Sequence, residues 1–313
     1  MPKISILFPS YNEEEQLPIT VGEVLKYVPE QYDCDLLFVD DGSTDQSWTV
    51  LKQLADNYPQ VKALRFSRNF GKEAALVAGL AEVEGDAVII MDCDLQFPPR
   101  YIPQILEYWE EGYEVVEGVK AKRQDESAFA GFAANSFYHI FKALTELDLK
   151  NASDFKLLDR KVIDIWKQMP ERASFFRGQS AWVGFKRKSF SFEVDERKTG
   201  EGKWSIIKLS RLAINAITSF SAKPLYLIAL VGLILFILFI ILGIQTLINW
   251  FRGTAAGGFT TVILLQLLIG GTILLSLGLI GVYIERIYLE SKGRPRYIIS
   301  DRIENEPDSR KTE

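Results

Sequence analysis

Two carboxylates stand one residue apart at the end of a short apolar run, in the stretch AVIIMDCDLQFPP at residues 87–99. In an extended chain the side chains of Asp92 and Asp94 point to the same side, and Gln96 follows one further step of two. Like charges this close repel each other, so the pair is either a solvated turn or a site for a metal or another ligand. Short acids suit Mg²⁺ or Mn²⁺, which share their shell with substrate phosphates. The spacing therefore indicates a half-complete metal site awaiting a diphosphate, whose departure such a metal assists.

Polar clusters also follow two earlier apolar runs, as PSYNEE at residues 9–14 and DDGSTD at residues 40–45. Asp41 is well placed to accept a hydrogen bond from the edge of a base. Tyr11 and Asn12 can supply a stacking face and an amide to the same base. Asp40 equally well belongs to a turn that caps the next helix.

A fourth cluster, SRNFGK at residues 67–72, carries positive charge. Arg68 and Lys72 are candidates for phosphate binding, and Gly71 permits close approach of the backbone. The GxxxxGK[ST] spacing of a P-loop is absent, and no GxGxxG follows the first apolar run. The cluster therefore predicts phosphate contacts of a different kind.

Short apolar runs alternate with amphipathic stretches up to about residue 200. KISILFPS, CDLLFVDDGS, VKALRFS and DAVIIMD predict strands, while QLPITVGEVLKYV, DQSWTVLKQLADNY and GKEAALVAGLAEV have helical spacing. Continuously apolar strands that alternate with helices predict an α/β fold, with a mostly parallel sheet and helices on both faces. Ligands bind outside the carboxyl ends of such strands, so the four polar clusters are expected to form one active site.

The composition argues against several classes of protein. The formal net charge of −5 gives no case for nucleic-acid binding. Cys34 and Cys93 stand in apolar context without a CxxC spacing, which is typical of reduced core thiols. His139 is the only histidine, so histidine chemistry has little support. The N-terminus lacks the pattern of a signal peptide, and we expect the chain to start in the cytosol.

Beyond residue 200 the sequence becomes that of a membrane segment. No charged residue occurs at 224–251 or at 253–284, and each run exceeds the roughly 20 apolar residues that span a bilayer. These runs predict transmembrane helices at 223–251 and 259–285. The stretch GKWSIIKLSRLAINAITSF predicts an amphipathic interfacial helix over 203–222, with an ordinary surface helix as the alternative.

Basic residues flank the two apolar runs and predict an orientation. They are Lys203, Lys208, Arg211 and Lys223 before the runs, and Arg286, Lys292, Arg294 and Arg296 after them. The positive-inside rule places a catalytic domain over 1–202 and a tail over 286–313 on the cytoplasmic side. We therefore expect an integral protein of the inner or plasma membrane, with a disordered polar tail after Ser300.

Four successive motifs, FPSYNEEEQLP, VDDGSTDQSW, SRNFGKEAALVAGL and MDCDLQFPP, resemble those of family 2 glycosyltransferases, which have the Rossmann-like GT-A fold. With KAKRQDES, SDFKLLDR and two C-terminal membrane helices, the chain is similar to the polyisoprenyl-phosphate glycosyltransferases. That branch includes dolichol-phosphate mannose synthases and bacterial undecaprenyl-phosphate glucosyltransferases, and the chain looks most like the bacterial enzymes. The resemblance covers nearly the whole chain in the right order, which makes it far more specific than any one motif.

The resemblance implies transfer of a sugar from a nucleotide sugar, with UDP-glucose expected, to polyprenyl phosphate such as undecaprenyl phosphate. It implies inversion at the anomeric carbon and a β-linked product for a cell-envelope glycan. Tyr11 and Asp41 would bind the uracil, and the pocket would also contain Pro9, Asn12 and Glu13. Arg68, Lys72 and Asp92 complete the expected contacts to the nucleotide sugar. Mg²⁺ or Mn²⁺ and the diphosphate would be held by Asp92, Asp94 and Gln96, with Asp94 counted as catalytic.

The acceptor phosphate is the expected nucleophile. Its second pKa lies near ~6, so it is largely anionic at neutral pH and needs no strong base. Asp154 matches a position often taken as the base, and equally well orients the acceptor or the sugar hydroxyls. Arg123, Arg197 and Lys203 are candidates for an acceptor clamp, with solvated surface charges as the alternative. The family commonly has Gly-x-Ser-Lys-aromatic where this chain has GEGKW, so Gly202 lacks the hydroxyl.

Other classes of protein share some of these features. A processive polysaccharide synthase requires a QxxRW motif and a channel of helices, and the sequence has neither. In an aspartate-nucleophile phosphatase the Asp-x-Asp pair follows the first strand and continues with Gly-Thr. In this chain the pair follows the fourth predicted strand and continues with Leu-Gln. A non-catalytic recruitment protein with a membrane tether requires a degenerate site, which the intact acid pair argues against. Among enzymes, GDP-mannose or a UDP-aminosugar stays open as the donor, and a homo-oligomer stays open as the assembly.

Overall fold

The computed structural model describes residues 1–120, 139, 141–147, 153–169, 171, 175–193, 217–253 and 258–304. Contacts divide the chain into two compact units. Unit 1 comprises Met1–His139, Leu147–Trp204 and Arg294–Glu313, and unit 2 comprises Ile140–Glu146 and Ser205–Gly293. The predictions that lie outside the described residues are the acceptor clamp of Arg123, Arg197 and Lys203, the departure at Gly202, and residues 203–216 of the interfacial helix.

Four parallel strands form the centre of unit 1, and the sequence predicted all four. They are β1 (Lys3–Ser10), β2 (Asp33–Asp40), β3 (Val61–Phe66) and β4 (Ala87–Ile90). Their spatial order is β3-β2-β1-β4, and each pairs in parallel with its neighbour. Their carboxyl ends therefore share one edge of the sheet, and the four polar clusters follow at that edge.

Helices connect these strands and cover the sheet on both faces. They are α1 (Leu17–Leu25), α2 (Ser47–Asn57) and α3 (Lys72–Glu82). Neighbouring residues of β1 point to opposite faces, so Phe8 packs in the core cluster that contains α1 and α2, while Leu7 packs in the cluster that contains α3. Burial on both faces explains why these strands are continuously apolar.

The close approach of α3 to β1 requires glycine at position 79. A Cβ atom there would overlap the buried side chain of Leu7. Glycine therefore lets the helix lie directly on the strand. The first turn of α3, which carries Lys72 and Glu73, is thereby fixed at the carboxyl edge of the sheet.

The sheet continues on both sides of this centre. Further strands are β5 (Val115–Lys120), β6 (Lys156–Asp159), β7 (Arg187–Phe192) and β8 (Ile299–Ile303), and further helices of unit 1 are α4 (Ile102–Glu110), α5 (Arg160–Lys167) and α6 (Phe176–Trp182). The order of the eight strands is β7-β5-β6-β4-β1-β2-β3-β8. β6 and β8 are antiparallel to their neighbours, whereas β5 and β7 pair in parallel. The predicted α/β fold with a mostly parallel sheet is confirmed.

The segment after the last helix is a strand of the sheet, so the predicted disorder after Ser300 is wrong for residues 301–303. β8 pairs antiparallel with β3 at the edge of the sheet. Ile303 packs against the core, and the ring of Tyr297 stacks on Phe66 with centroids 5.2 Å apart. The polar composition was misleading because an edge strand of this kind needs only a few apolar contacts on one face.

Unit 2 contains two long apolar helices, α7 (Lys223–Phe251) and α8 (Phe259–Ser291). Their mean hydropathy reaches 3.4 in α7 and 2.3 in α8, and none of either apolar stretch is buried. A core helix of a soluble protein would be buried, and a signal sequence would lie at the N-terminus. At about 1.5 Å per residue, both helices are long enough to cross a bilayer. They fit a membrane protein, as the sequence predicted.

Candidate active site

A cleft of about 240 Å³ opens at the carboxyl edge of β1, β2 and β4. It is lined by Pro9, Ser10, Tyr11, Glu13, Asp41, Lys72, Ala75, Asp92, Cys93 and Asp94. All of these except Ser10, Ala75 and Cys93 were predicted as site residues. The expected convergence of polar strand ends is therefore present in the structure.

Hydrogen bonds join the loops that follow β1 and β2. Asn12 has a left-handed backbone with φ of 55°, its N–H donates to Oγ of Ser43 at 2.9 Å, and its Oδ1 accepts from the N–H of Thr44 at 2.9 Å. Asp40 is fully buried, and its Oδ1 accepts from the N–H of Ser43 at 3.0 Å. The structure thus favours the turn interpretation for Asp40. The side-chain oxygen of Asn12 holds the loop after β2, and Asn12 does not line the cleft.

Asp41 shapes the loop that follows β3. Its two carboxyl oxygens accept from the N–H groups of Phe70 at 2.6 Å and Gly71 at 2.8 Å. Gly71 has φ of 97°, which glycine adopts readily. Burial raises the pKa of Asp41, and the two hydrogen bonds partly offset this effect. Each oxygen keeps a second lone pair, so Asp41 can hold the loop and still accept a hydrogen bond from a ligand.

Negative charge is concentrated around the acid pair of the cleft. Asp92 is ion-paired with Lys72, with Nζ 2.6 Å from Oδ1. Asp94 is exposed, and its Oδ1 accepts from the N–H of Gln96 at 3.1 Å. Burial raises the pKa of Glu13, and the charge of Asp94 raises it further. A cation is therefore favoured at this position.

Asp154 is connected to the cleft through a lysine. Its Oδ2 lies 3.0 Å from Nζ of Lys72. Arg177 in α6 donates to both oxygens, with Nε 2.7 Å from Oδ1 and a terminal nitrogen 3.0 Å from Oδ2. Burial alone would raise the pKa of Asp154, but Arg177 and Lys72 outweigh it and hold the pKa well below its usual range. Such a stable anion is a weak base, so the geometry favours an orienting role.

Three charged residues of this region were missed by the sequence analysis. Arg177 is one, and the others are Glu117 and Lys156, a buried ion pair with Nζ 2.8 Å from Oε1. Nζ of Lys156 also donates to Oγ of Ser180 at 2.6 Å. The sequence could have predicted this pair, because both residues interrupt apolar runs that form strands. A charged side chain in such a run is rarely buried unless it has a partner of opposite charge. Arg177, in the short helix FRGQSAW, carries no comparable local signal.

Glu73 was missed as well. Its Oε2 accepts from the N–H of Phe176, the first residue of α6, at 2.9 Å. Burial raises the pKa of Glu73 to about 7. This carboxyl therefore changes its protonation near neutral pH.

Residues 5–166 match the family described as "Glycosyl transferase family 2". The chain belongs to glycosyl transferase family 2. It is therefore a glycosyltransferase, and the matched range contains both the cleft and Asp154.

Other family 2 chains are similar over nearly their whole length. An "uncharacterized glycosyltransferase YkcC" of Bacillus subtilis (strain 168) is 41% identical, covering 94% of this chain and 92% of the relative. A "bactoprenol glucosyl transferase" of Shigella phage SfX is 37% identical, covering 96% of this chain and 99% of the relative. Among solved structures, glucosyl-3-phosphoglycerate synthase from Mycobacterium tuberculosis with UDP is 21% identical, with a TM-score of 0.47 over 70% of this chain and 79% of that chain.

The donor set of this glycosyltransferase fits a divalent metal that shares its shell with a phosphate. Asp92 and Asp94 both line the cleft, and Lys72 already supplies a positive charge to one of them. Within the described part of the chain, no group of three or more acidic, cysteine or histidine side chains could hold a metal ion, so a metal at this pair would need further ligands from a substrate. An incomplete shell is what a metal bound together with substrate oxygens requires.

Within the described residues, four predicted site residues do not line the cleft, namely Asn12, Arg68, Gln96 and Asp154. The guanidinium of Arg68 lies over the ring of Phe70, 4.3 Å from its centroid. Gln96 approaches the acid pair through its backbone N–H. Within the described part of the chain, the structure therefore gathers most of the predicted glycosyltransferase site in the cleft and leaves these four outside it.

Proposed function

We propose that this chain transfers a glucosyl group from UDP-glucose to the phosphate of a membrane polyprenol, with inversion at the anomeric carbon. The observation that carries the proposal is the 37% identity, over nearly the full length of both chains, to a bactoprenol glucosyl transferase. Bactoprenol is a bacterial polyprenol. The cleft supports the proposal because it contains Asp41, whose carboxylate can accept a hydrogen bond from the uracil. It also contains Asp92 and Asp94, whose spacing suits a metal and a diphosphate.

The uracil is proposed to bind between Tyr11 and Asp41. The Tyr11 side chain is 43% exposed and offers a stacking face, while Asp41 offers a free lone pair for the imino N–H of the base. Pro9 and Glu13 line the same cleft. Arg68 remains a proposed phosphate contact.

Asp92 and Asp94 are proposed to hold Mg²⁺ or Mn²⁺, with Gln96 beside them. When bound, the metal neutralises the negative charge that develops on the leaving diphosphate. Lys72, now paired with Asp92, supplies a second positive charge to the same diphosphate. The chain thus provides both the anionic ligands and a cation of its own.

In the transfer step an oxygen of the acceptor phosphate attacks the anomeric carbon. The bond from that carbon to the diphosphate oxygen breaks, and UDP leaves with the bonding electron pair. The acceptor is already anionic, since its second pKa is near ~6, so no proton has to be removed. A reaction without a general base agrees with the ion pairs of Asp154, whose carboxylate contacts both Arg177 and Lys72. Arg123, Arg197 and Lys203 remain the proposed clamp for the acceptor.

The helix pair is proposed to hold the enzyme in the membrane that contains its lipid acceptor. The hydroxyl of Tyr283 donates to the carbonyl of Ser221 at 2.7 Å, and Arg286 donates to Oγ of Ser219 at 2.8 Å. The start of α7 thus lies beside the end of α8, and the chain enters and leaves the pair at one end. Basic residues flank the helix pair at that end, which favours a cytoplasmic location for it by the positive-inside rule. The catalytic unit is proposed to be cytoplasmic for the same reason.

Radiolabel transfer into a lipid extract tests the proposal. The purified full chain receives labelled UDP-glucose, undecaprenyl phosphate and Mg²⁺ or Mn²⁺. We expect metal-dependent label in an acid-labile lipid, reduced about 10²–10³-fold in Asp94→Asn. Asp56→Asn is the matched control, because Asp56 is exposed on α2 and lies outside the cleft.

The same assay separates the other candidate functions. Label from GDP-mannose or a UDP-aminosugar, but none from UDP-glucose, would keep the reaction and correct the donor. If folded protein in membranes transferred no sugar from any of these donors, the catalytic proposal would fail. A non-catalytic recruitment role would then be the better account.

A further inference from the structure

Thr20 is a polar residue on the buried face of α1. It is fully buried, as are Leu17, Val21 and Val24 on the same face of the helix. Their spacing is that of a helix face that packs on a core, where apolar side chains are expected. A buried hydroxyl costs free energy unless it has a hydrogen-bond partner. The partner of the Thr20 hydroxyl therefore indicates the role of this position.

The hydroxyl of Thr20 contacts the loop at residues 92–96, here named the acid loop because it carries Asp92 and Asp94. Its Oγ1 donates to the carbonyl of Cys93 at 2.7 Å, across 73 positions of the chain. A second acceptor is the carbonyl of Gln16 at 3.0 Å, which already accepts from the N–H of Thr20 at 2.9 Å. The contact to Cys93 is the shorter of the two, and it joins α1 to the acid loop.

The carbonyl of Cys93 belongs to the same peptide group as the N–H of Asp94. Because that group is planar, a hydrogen bond to its carbonyl also fixes the orientation of the bond that leads into Asp94. The thiol of Cys93 is buried and donates to the carbonyl of Pro9 in β1 at 3.7 Å. Cys93 is thus held by β1 and by α1, while its neighbours Asp92 and Asp94 line the cleft.

The acid loop has a backbone conformation that needs support. Leu95 has φ of 54°, in the left-handed region that residues other than glycine rarely adopt. Such a conformation persists only where the surrounding structure holds it. Leu95 packs against the core, and the N–H of Gln96 donates to Oδ1 of Asp94 at 3.1 Å. The hydrogen bond from Thr20 adds a fixed point two residues before Leu95.

The start of α1 is also joined to the loop that follows β1. The carbonyl of Glu13, which lines the cleft, accepts from the N–H groups of Gln16 at 2.9 Å and Leu17 at 3.0 Å. The helix therefore contacts two segments of the cleft, one through Glu13 and the other through Thr20. Because the chain is helical between these contacts, α1 fixes the acid loop relative to the loop after β1.

We propose that Thr20 is a positioning residue, whose hydroxyl holds the carbonyl of Cys93 and thereby directs Asp92 and Asp94 into the cleft. The inference rests on the proposed function, in which this acid pair holds Mg²⁺ or Mn²⁺ together with the diphosphate of the donor. Thr20 does not line the cleft and acts through the backbone of Cys93. Without the hydroxyl, the peptide group before Asp94 loses a buried hydrogen bond and is no longer held in one orientation.

This role predicts an effect on one part of the donor and not on the other. The diphosphate is proposed to bind through the acid pair and its metal, whereas the uracil is proposed to bind between Tyr11 and Asp41. Loss of the Thr20 hydroxyl should therefore reduce the contribution of the metal to UDP binding, and leave UDP binding without metal unchanged. A general loss of packing in α1 would not separate these two effects.

The test compares Thr20→Val, which removes the hydroxyl and keeps the shape, with Thr20→Ser, which keeps the hydroxyl. Calorimetry on the full chain in detergent measures the dissociation constant of UDP without metal and with saturating Mn²⁺. In Thr20→Val we expect the gain in UDP affinity on adding Mn²⁺ to fall about tenfold, because the hydrogen bond to the acid loop is lost. The affinity without metal should stay within about threefold of wild type, and Thr20→Ser should keep the gain within the same limit.

Val21→Ala is the matched control, because Val21 is the buried neighbour of Thr20 on α1 and packs in the core. It should lower the thermal stability and leave the gain from Mn²⁺ unchanged. Transfer kinetics give a second measurement. In Thr20→Val we expect kcat to fall about tenfold, while the KM for undecaprenyl phosphate stays unchanged.

The outcomes separate the inference from the proposed function. An unchanged gain from Mn²⁺ in Thr20→Val, or an equal loss in Thr20→Val and Thr20→Ser, would overturn the role of the hydroxyl. If Thr20→Val does not fold, Thr20→Ala replaces it under the same expectations. A wild type whose UDP affinity does not respond to Mn²⁺ would overturn the proposed metal site, and this inference with it.

Discussion

The ammonium group of Lys72 lies 2.6 Å from Oδ1 of Asp92, so a carboxylate proposed to hold the metal already has a cation of the chain as its partner. Burial raises the pKa of Asp92, and Lys72 acts against this rise. A metal ion bound at Asp92, as proposed, would compete with the lysine for the same oxygen. Asp154 offers Lys72 a second partner at 3.0 Å, so the lysine can leave Asp92 without becoming unpaired.

Replacing this lysine tests the competition directly. Lys72→Met is expected to strengthen Mn²⁺ binding about tenfold in the absence of nucleotide, a change of about 1.4 kcal/mol. The reason is that the variant loses the competing cation and keeps both acids. Mn²⁺ binding is measured by calorimetry on the purified chain. Lys52→Met, at an exposed position of α2, is the control. Unchanged or weaker Mn²⁺ binding in Lys72→Met would show that the two cations do not compete.

A second prediction concerns the loop held by Asp41. Asp41→Asn leaves one acceptor oxygen for two N–H groups, those of Phe70 and Gly71. We expect UDP affinity to fall about tenfold, and the free energy of unfolding to fall by about 1–2 kcal/mol, because one partly buried N–H donor loses its partner. Calorimetry with UDP and thermal unfolding in detergent measure the two effects, with Asp56→Asn as the control. Lower stability with unchanged UDP affinity would restrict Asp41 to a structural role.

A third prediction concerns the buried pair of Glu117 and Lys156. Glu117 accepts from Nζ of Lys156, from Arg187 at 2.8 Å and from the N–H of Ser153 at 3.2 Å, next to Asp154. Lys156→Met is expected to cost about 1–3 kcal/mol of unfolding free energy, because the buried carboxylate loses one hydrogen-bonded cation and keeps the other, Arg187. Thermal or denaturant unfolding in detergent measures the loss.

The double variant Lys156→Met/Glu117→Gln is the control for this prediction. Glutamine keeps an oxygen for the N–H of Ser153 and removes the charge that Lys156 and Arg187 both contact. The double variant should lose less stability than the sum of the losses in Lys156→Met and Glu117→Gln, because both changes remove the same ion pair. Additive losses would mean that the two side chains act independently.

Glu73 gives the stability of the protein a dependence on pH. Burial raises its pKa from 4.5 to about 7, the charge of Asp154 adds to the rise, and Phe176, Arg177 and Lys72 oppose it. A raised carboxyl pKa means that the folded state binds the proton more tightly than the unfolded chain. The stability that protonated Glu73 adds to the folded state is therefore fully present below pH 4.5. It is lost as the pH rises through about 7.

Glu73→Gln should remove this dependence while keeping an oxygen for the N–H of Phe176. The variant is expected to exceed the wild type in stability by roughly 2 kcal/mol above neutral pH, and to match it at acidic pH. Unfolding in detergent at two pH values measures the difference. An equal difference at both values would show that the charge of Glu73 is not its cause.

The sequence was sufficient for features that depend on neighbouring residues. The apolar runs of β1 to β4 and the i, i+2 spacing of Asp92 and Asp94 are local patterns, so they predicted the sheet edge and its acids. The contacts between side chains that are distant in the sequence could not be predicted from such local patterns. Arg177 reaches Asp154 across 23 positions, and Glu73 reaches Phe176 across 103. Such pairs exist only once the sheet has brought distant segments together.

β8 was missed for a related reason. Its sequence ISDRI has apolar residues only at its ends, so it carries little strand signal of its own. Pairing with β3 supplies the backbone hydrogen bonds, and Arg302 adds an ion pair with Glu82 at 2.8 Å and 2.9 Å. The strand is therefore specified by its neighbour rather than by its own composition.

The last prediction concerns the loop at residues 67–71, here named the donor loop, which Asp41 holds and which lies next to β8. The N–H of Ser67 donates to the carbonyl of Ile298 at 2.9 Å, and Tyr297 stacks on Phe66, immediately before the loop that Asp41 holds. Ending the chain after Arg296 should therefore weaken UDP binding about tenfold, because the end of β3 loses its edge partner. Calorimetry with UDP measures the change, and ending the chain after Glu304 is the control that keeps β8. If the truncated chain does not fold, Tyr297→Ala tests the same support with the strand in place. UDP affinity that is unchanged in folded variants would mean that β8 does not support the donor loop.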